Sequence, residues 1–365
     1  MRKLKLFKET SFGGLGKTVN LWLATLLLGA ILFTGCATSG LKSRKAMQTL
    51  NPRALAPGDT IGFISPSSPI ERVKMERAIQ IIEKRGYRTK LPEGLYDADG
   101  YLAGSDRLRA RQFMEVLTDP EVDVVFAAAG GYGAMRMLPH VDFSRLDQPK
   151  IVAGFSDITA IHLALWSQCG WTSFHGPNMM DGFGQGPGHR SATRSWFWQI
   201  LEGDGVDVIL GNVSEPGERA DSPHPRKLVS GKVRGRLVGG NLSLISALVG
   251  TPYELDTRDA ILFLEDVGER PYRIDRMLSQ MQLAGQLDHL AGVLLGQFTN
   301  CEPRDEKATW DVMRVLNHYF GNLEVPVLMN FPAGHHAFNS TIPLGYQVEL
   351  NADRGEVRVV ESLWR

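Results

Sequence analysis

Apolar segments of strand length alternate with helical patterns through the first half of this chain, and that alternation restricts its fold more than any other feature. A helix is indicated where apolar residues recur at i, i+3, i+4 and i+7, from Met75 to Ile82. Strands that alternate with helices form parallel sheets covered on both faces. We therefore predict an α/β fold. We predict strands at Thr60 to Ile64, Val122 to Phe126 and Lys150 to Phe155, and a helix from Thr159 to Gln168.

The alternation is interrupted between residues 181 and 230, where glycine, proline and charged residues are frequent. One short helix is indicated inside this segment, around Trp196 to Leu201. After the interruption, we predict that Gly239-Gly240-Asn241 opens a helix. Strands resume at Ala260 to Leu264 and Gly292 to Phe298, and Asn351 to Gly355 is typical of a hairpin turn. A chain of 365 residues can form two cores. We predict a nucleophile domain over 55–180, an interdomain crossing over 181–230 and a β-rich domain over 231–365.

The first 36 residues are typical of a bacterial lipoprotein signal peptide. A basic leader precedes an apolar run of about fourteen residues, Leu21 to Thr34, which is shorter than the roughly 20 that a membrane-spanning helix needs. The segment ending at Gly35-Cys36 resembles a lipobox, so we expect lipidation of Cys36, a tether over 37–54 and attachment at the periplasmic face of the outer membrane. An uncleaved membrane anchor is the alternative. The remaining cysteines, Cys169 and Cys301, are expected to be two buried free thiols.

Charge excludes one class of partner. Lysine plus arginine and aspartate plus glutamate each number 40, so the formal net charge is zero and no basic excess favours nucleic acid. A small neutral or zwitterionic substrate fits this balance better.

Ser156 lies where an apolar strand meets a helix, in Gly154-Phe155-Ser156-Asp157-Ile158. A sharp strand-to-helix turn exposes a hydroxyl and leaves the next backbone N–H free for an oxyanion, as a nucleophile requires. The alternative is a helix cap, the commoner role of such a serine. The turn Gly130-Gly131-Tyr132-Gly133 has Arg136 where a dinucleotide-binding loop needs glycine, so we interpret it as a backbone turn beside Ser156.

A serine nucleophile needs an imidazole base and a carboxylate that orients the base. Glu265 ends the strand Ile261 to Leu264, and His335 lies in the loop segment Pro332 to His336. Taken singly, each has another interpretation: a salt bridge for Glu265, a solvent-facing histidine for His335, or zinc ligation by both together with His336. The segment lacks the His-Glu-x-x-His helix of zinc peptidases, so we expect no metal ion or other cofactor.

The chain resembles the LD-carboxypeptidases, a family that includes muropeptide LD-carboxypeptidases and microcin C immunity peptidases. The resemblance runs from about Pro57 to Leu350 with its blocks in family order. Those blocks are Gly130 to Gly133, Gly154 to Thr159, His175-Gly176-Pro177, Gly239 to Leu242, Leu264 to Glu269 with Pro271 to Arg273, and Gly334-His335 with Pro343 to Gly345.

The resemblance implies a catalytic triad of Ser156, Glu265 and His335, with an oxyanion hole formed by the N–H of Asp157 and that of Gly130 or Gly131. It also implies a flavodoxin-like parallel-sheet N-terminal domain, a β-rich α+β C-terminal domain, an active site between them and a homodimer. Two positions depart from the family pattern: alanines precede Gly130 where muropeptide enzymes usually carry arginine, and His336 stands where glycine is frequent.

The expected activity is hydrolysis of an L,D-amide bond, releasing terminal D-Ala from murein tetrapeptides. Asn241, Arg136 and Arg273 are candidates for substrate binding, the two arginines on charge alone. The alternatives are a peptidase that inactivates acyl-amino-acid or peptide toxins, and a non-catalytic substrate-binding lipoprotein.

Overall fold

The computed structural model describes residues 48–186, 191–211, 222–303 and 310–365. The predicted signal peptide, Cys36 and most of the predicted tether lie outside these ranges. Within them, no helix combines the length and apolar character needed to span a bilayer.

The strands and helices alternate along the first half of the chain, as predicted. The strands are β1 (Thr60–Ile64), β2 (Arg88–Lys90), β3 (Val124–Ala127), β4 (Ile151–Gly154), β5 (Ser173–His175), β6 (Arg226–Val229), β7 (Lys232–Asn241), β8 (Ala260–Val267), β9 (Gly292–Thr299), β10 (Val327–Met329), β11 (Ile342–Leu344), β12 (Gln347–Asn351) and β13 (Glu356–Val359). The helices are α1 (Arg72–Lys84), α2 (Asp106–Thr118), α3 (Ala134–Met137), α4 (Thr159–Cys169), α5 (Met179–Gly182), α6 (Ser191–Glu202), α7 (Leu242–Ala247), α8 (Pro271–Leu283) and α9 (Val312–Phe320).

The first sheet has the order β11-β5-β4-β3-β1-β2, and its strands β1 to β5 are parallel. Every residue of β1, β3 and β4 is buried, because helices cover both faces of the sheet. The succession 2-1-3-4-5 is the flavodoxin-like order, so the predicted N-terminal fold is confirmed. The loops that follow β1, β3 and β4 all lie at the carboxyl edge of this sheet.

Strand β11, from the C-terminal half of the chain, completes the first sheet. It pairs antiparallel with β5, with Ile342 opposite His175 and Leu344 opposite Ser173. No local pattern predicted this strand. Because β11 pairs with β5, His175 lies between β4 and β11, inside the sheet rather than at its edge.

The second sheet has the order β13-β12-β7-β8-β9-β10-β6. Its central strands β7 to β10 are parallel, whereas β6, β12 and β13 pair antiparallel at the two edges. The hairpin predicted around Asn351 to Gly355 is confirmed by the pairing of β12 with β13. A β-rich C-terminal half was therefore predicted correctly, although its central strands are parallel.

Two local predictions were wrong in detail. Gly239-Gly240-Asn241 was predicted to open a helix, but these residues end β7, and only Asn241 caps α7. A Cβ at Gly239 would lie 1.9 Å from the carbonyl oxygen of Phe263, so the glycine permits close approach of β7 to β8. The helix predicted around Trp196 to Leu201 is α6, which begins earlier, at Ser191, and the segment 181–230 also contains the unpredicted strand β6. The domain boundaries themselves stay a prediction.

One buried apolar cluster joins the two sheets. It includes Val125 and Val152 of the first sheet, Ile161 of α4, and Leu262 and Val293 of the second sheet. Helix α4 begins just after Ser156, and its packing in this cluster, together with the bond from the Asn241 N–H to Thr159, fixes its first turn against the end of β7.

Cys169 and Cys301 are free thiols. Cys301 is buried, and burial raises the pKa of its thiol to about 12. Cys169, the last residue of α4, is only partly buried, and burial raises the pKa of its thiol to about 11. The prediction of two buried thiols was therefore correct for Cys301 alone, and both are poor nucleophiles at neutral pH.

Candidate active site

Ser156 adopts a left-handed backbone conformation, with φ of 66°, directly after β4. Such a conformation is uncommon for a residue other than glycine and persists only where surrounding structure enforces it. A short 3-10 turn over Ser156–Ile158 leads into α4, and Phe155, not Ser156, occupies the position before that turn. The predicted strand-to-helix turn is confirmed. Ser156 is not the N-cap of the turn or of α4.

The backbone on both sides of Ser156 is held by buried polar side chains. The Asn178 side chain accepts a hydrogen bond from the N–H of Phe155 at 3.1 Å. The carboxylate of Asp157 accepts hydrogen bonds from the Ser67 hydroxyl at 2.6 Å and the Ala134 N–H at 2.7 Å. Burial raises the pKa of Asp157 despite these bonds. Asp157 thus ties the serine turn to the loops after β1 and β3.

The glycine turn lies against the serine turn, as predicted. A Cβ at Gly130 would stand 3.0 Å from the Cβ of Ser156, so any side chain there would crowd Ser156. Gly131 has φ of 108°, and a Cβ there would lie 2.0 Å from the Ser68 hydroxyl. The backbone of Gly130 is therefore close to Ser156, and that of Gly131 is close to Ser68, because neither glycine carries a side chain.

Glu265 and His335 meet although 70 residues separate them. The Nδ1 atom of His335 lies 2.7 Å from Oε2 of Glu265, whose side chain is fully buried. Burial acts to lower the pKa of His335, but the charge of Glu265 and its hydrogen bond outweigh it, so the pKa is raised. A carboxylate paired in this way fixes the ring tautomer and stabilises the imidazolium form.

Glu265 was predicted at a strand end, and that was wrong: β8 continues to Val267. The pairing of β8 with β9 shifts register between Leu264 and Asp266. The extra residue lies in β9, where Gly296 and Gln297 together stand opposite Glu265, and a Cβ at Gly296 would lie 3.2 Å from the Cβ of Glu265. Gly334 permits the approach from the other side, since its φ is 115° and a Cβ there would lie 2.7 Å from Oε2 of Glu265.

The serine turn and the histidine are neighbours across the two sheets. The ring of His335 lies 4.8 Å, between centroids, from the ring of Phe155, the residue before Ser156. Within the described ranges, no hydrogen bond joins the Ser156 hydroxyl to the His335 ring. Catalytic hydrogen bonds are often long without substrate and shorten when it binds.

Comparison with known proteins shows the family. The model of the LD-carboxypeptidase N-terminal domain matches residues 61–176, and the model of the C-terminal domain matches residues 234–350. The chain belongs to the LD-carboxypeptidase family. This family consists of serine peptidases, so the resemblance stated from the sequence is confirmed.

The alignments with individual relatives span nearly the whole length of each relative. A probable murein peptide carboxypeptidase of Bacillus subtilis is 37% identical over 310 residues, covering 84% of this chain and 94% of its own length. The crystal structure of muramoyltetrapeptide carboxypeptidase from Oxalobacter formigenes is 30% identical with a TM-score of 0.70, covering 83% of this chain and 99% of that chain. The microcin C7 self-immunity protein MccF, in complex with aspartyl sulfamoyl adenosine, is 26% identical with a TM-score of 0.77, covering 87% and 100%.

In this LD-carboxypeptidase, Asn241 bridges two carboxylates. Its amide nitrogen donates to Oε1 of Glu265 and to Oδ1 of Asp266, each at 3.2 Å, and its side-chain oxygen caps α7 at Leu244. Its own N–H donates to the Thr159 hydroxyl of α4 at 3.0 Å. All the polar groups of this side chain are thus engaged within the protein. Positioning of the carboxylates is the role that these contacts support, and substrate binding by Asn241 stays a prediction.

The two arginines proposed for substrate binding are both paired with acidic residues at the surface. Arg136 donates to Asp106 at 3.0 Å, and Arg273 lies 3.4 Å from Glu269 on the preceding turn. Their contacts with a substrate stay a prediction.

Sequence reasoning missed two supporting residues. Arg109 of α2 is fully buried, donates to the carbonyl of Gly133 at 2.7 Å and also contacts the carbonyl of Pro66, so it joins the loops after β1 and β3. It lies four residues before the buried Phe113, on the apolar side of the helix, which is the one available signal. Asp266 carries a pKa raised to about 6, first by burial and then by the charge of Glu265.

Proposed function

We propose that this LD-carboxypeptidase releases terminal D-Ala from murein tetrapeptides with Ser156 as nucleophile. The observation that carries the proposal is the buried 2.7 Å contact between His335 and Glu265, beside Phe155 and the left-handed turn of Ser156. A base and its orienting carboxylate adjacent to a strained serine turn match the requirements of acyl transfer. The names of the Bacillus subtilis and Oxalobacter formigenes relatives support the substrate class.

The mechanism follows from the roles these groups can take. Ser156 attacks the carbonyl carbon of the L,D-amide, and His335 accepts the hydroxyl proton. Since Nδ1 is bound to Glu265, Nε2 is the nitrogen that serves as base. His335 then donates the proton to the amine of the leaving D-Ala, and water hydrolyses the acyl-enzyme. The oxyanion is stabilised by the N–H of Asp157 and that of Gly130 or Gly131.

Substrate orientation requires a cation for the terminal carboxylate. Arg136 and Arg273 are our candidates. Each already has an acidic neighbour, so binding by either would need exchange of Asp106 or Glu269 for the substrate carboxylate.

A second activity, removal of acyl-amino-acid or peptide toxins, is supported by the likeness to MccF. That protein was solved with aspartyl sulfamoyl adenosine bound, and its TM-score with this chain, 0.77, exceeds the 0.70 of the muramoyltetrapeptide carboxypeptidase. Both activities use the same serine chemistry, so the leaving group alone separates them.

The test is release of D-Ala from murein tetrapeptide by protein truncated after Cys36, with Ser156→Ala as the matched variant. We expect turnover by the unmodified protein and a loss of about 1,000-fold or more in the variant, because the nucleophile is gone. Equal turnover in both would reject Ser156. Tetrapeptide binding without turnover would favour a binding lipoprotein, and cleavage of aspartyl sulfamoyl adenosine alone would favour the toxin activity.

We further propose that Cys36 is lipidated, that the protein lies at the periplasmic face of the outer membrane and that it forms a homodimer. The sequence of the first 36 residues supports the anchor, and the family resemblance supports the dimer. Mass spectrometry of the membrane fraction should find a diacylated N-terminal Cys36 peptide, and light scattering of the truncated protein should give twice the chain mass.

A further inference from the structure

His175 is a fully buried histidine behind the triad carboxylate. It lies in β5, opposite Gly154 of β4 and Ile342 of β11, and its ring packs edge-on against Phe155 and Phe263. Neither of its ring nitrogens has a hydrogen-bond partner among the residues that the structure describes. A buried polar group without a partner is rare and calls for an explanation.

The nearest carboxylate to this ring is the one that orients His335. The Nε2 atom of His175 lies 4.0 Å from Oε1 of Glu265. This distance is too long for a hydrogen bond, and a shift of about 1 Å would bring the two atoms within hydrogen-bonding range. The other oxygen, Oε2, is the one bound to His335. Oε1 receives one hydrogen bond, from Asn241, and a carboxylate oxygen can accept two.

The surroundings keep His175 neutral. The groups that face it are His162, His335 and Glu265, and burial, the largest influence, lowers its pKa well below the ordinary value. A neutral imidazole has one N–H to donate. Of its two nitrogens, Nε2 is the one within 4.0 Å of a negatively charged oxygen, so the charge of Glu265 favours the Nε2–H form.

We propose that His175 is a positioning residue: its Nε2–H donates to Oε1 of Glu265 when substrate closes the active site. Glu265 is then held on one oxygen by Asn241 and His175, and its other oxygen stays on Nδ1 of His335. Because His175 belongs to the sheet that carries Ser156 and Glu265 belongs to the other sheet, the contact sets the base relative to the nucleophile. This inference rests on the proposed triad.

The test compares His175→Phe, which removes the donor, with His175→Gln, which offers a neutral N–H at a similar reach. The control variant is Phe174→Leu. Phe174 is the neighbouring residue of β5, and its ring packs against Tyr346 and Trp364, not against the proposed triad. For D-Ala release we expect His175→Phe to lower kcat about 10- to 100-fold with KM little changed, the loss typical of a hydrogen bond to a charged group. His175→Gln should recover most of kcat. Phe174→Leu should lower the melting temperature and leave kcat unchanged.

A cycle with Glu265→Gln separates positioning from general damage. In that background His175→Phe should cause little further loss, because the carboxylate it positions is absent. If the falls in kcat caused by His175→Phe and Glu265→Gln multiply in the double variant, the proposal is overturned. Equal kcat in the unmodified protein, His175→Phe and His175→Gln would also overturn it, as would an equal fall in kcat in the two variants.

The ring tautomer gives a readout that needs no turnover. In the truncated protein with 15N-labelled histidine, the His175 signal, assigned by its absence in His175→Gln, should report Nε2–H. An Nδ1–H tautomer would contradict the inference even if D-Ala is released. Failure of the unmodified protein to release D-Ala would instead reject the proposed substrate and leave the tautomer result to decide the role of His175.

Discussion

Asp266 shows how one buried residue beside Glu265 makes stability depend on pH. Its carboxylate is buried next to Glu265, accepts hydrogen bonds from Ser243 and Asn241, and has its pKa raised from 3.8 to about 6. The folded protein therefore holds a proton on Asp266 between about pH 4 and pH 6 that the unfolded chain releases. Across that window, this residue makes the folded state less stable as pH rises.

Replacing Asp266 by Asn should remove that dependence. Relative to the unmodified protein, the free energy of unfolding of Asp266→Asn should increase by about 1 to 3 kcal/mol between pH 4 and pH 7, because the variant has no proton to release. Any destabilisation caused by the amide itself is the same at every pH. The slope of the free energy of unfolding against pH is therefore the quantity to compare. Urea unfolding of both proteins at several pH values measures it, and parallel curves would contradict the assignment.

The loop that carries His335 fixes the position of the histidine that we propose as the base. Gly334 precedes the histidine in a left-handed conformation and lies directly against Glu265, whereas Gly268, with φ of 72°, has open space around its Cβ position. The two glycines therefore differ in what a methyl group would meet, although both have positive φ.

Gly334→Ala and Gly268→Ala form a matched pair. The first should lower kcat by about 100-fold, because the methyl group displaces Glu265 or His335 by a substantial fraction of an ångström. The second should cost about 1 kcal/mol of stability through its backbone conformation and leave kcat unchanged. Kinetics of D-Ala release and thermal unfolding measure both. Equal kcat in the two variants would show that the approach of Gly334 to Glu265 is not needed.

At the scale of the whole molecule, the two sheets share structure. Strand β11 comes from the C-terminal half but pairs in the first sheet, and the buried cluster through α4 continues from Val152 to Leu262. The N–H of Asn241 at the end of β7 also bonds to Thr159 of α4. Neither sheet can lose its packing without exposing apolar surface of the other.

We therefore expect the truncated protein to unfold in one cooperative transition. Tryptophan fluorescence and far-ultraviolet circular dichroism should give the same midpoint of unfolding. The calorimetric enthalpy of unfolding should equal the van't Hoff enthalpy. Two separated transitions would show that the halves unfold independently and that the shared core contributes little to cohesion.

Local sequence pattern determined much of this protein. The apolar runs predicted β1, β4 and α4 to within one or two residues, and the turn between them predicted a raised Ser156. These predictions succeed because strand burial, helix periodicity and turn chemistry depend on neighbours within a few positions. The family blocks placed Ser156, Glu265 and His335 as one site, although their roles in catalysis stay proposals.

The tertiary structure alone decided how those residues meet. Glu265 meets His335 beside a register shift between β8 and β9, and Asn241 reaches the carboxylate because β7 pairs with β8. Arg109 is buried beneath the active-site loops, and His175 lies behind Glu265 only because β11 closes the sheet. Strand order, register and burial arise from contacts between distant segments, and the pattern of any one segment does not contain them.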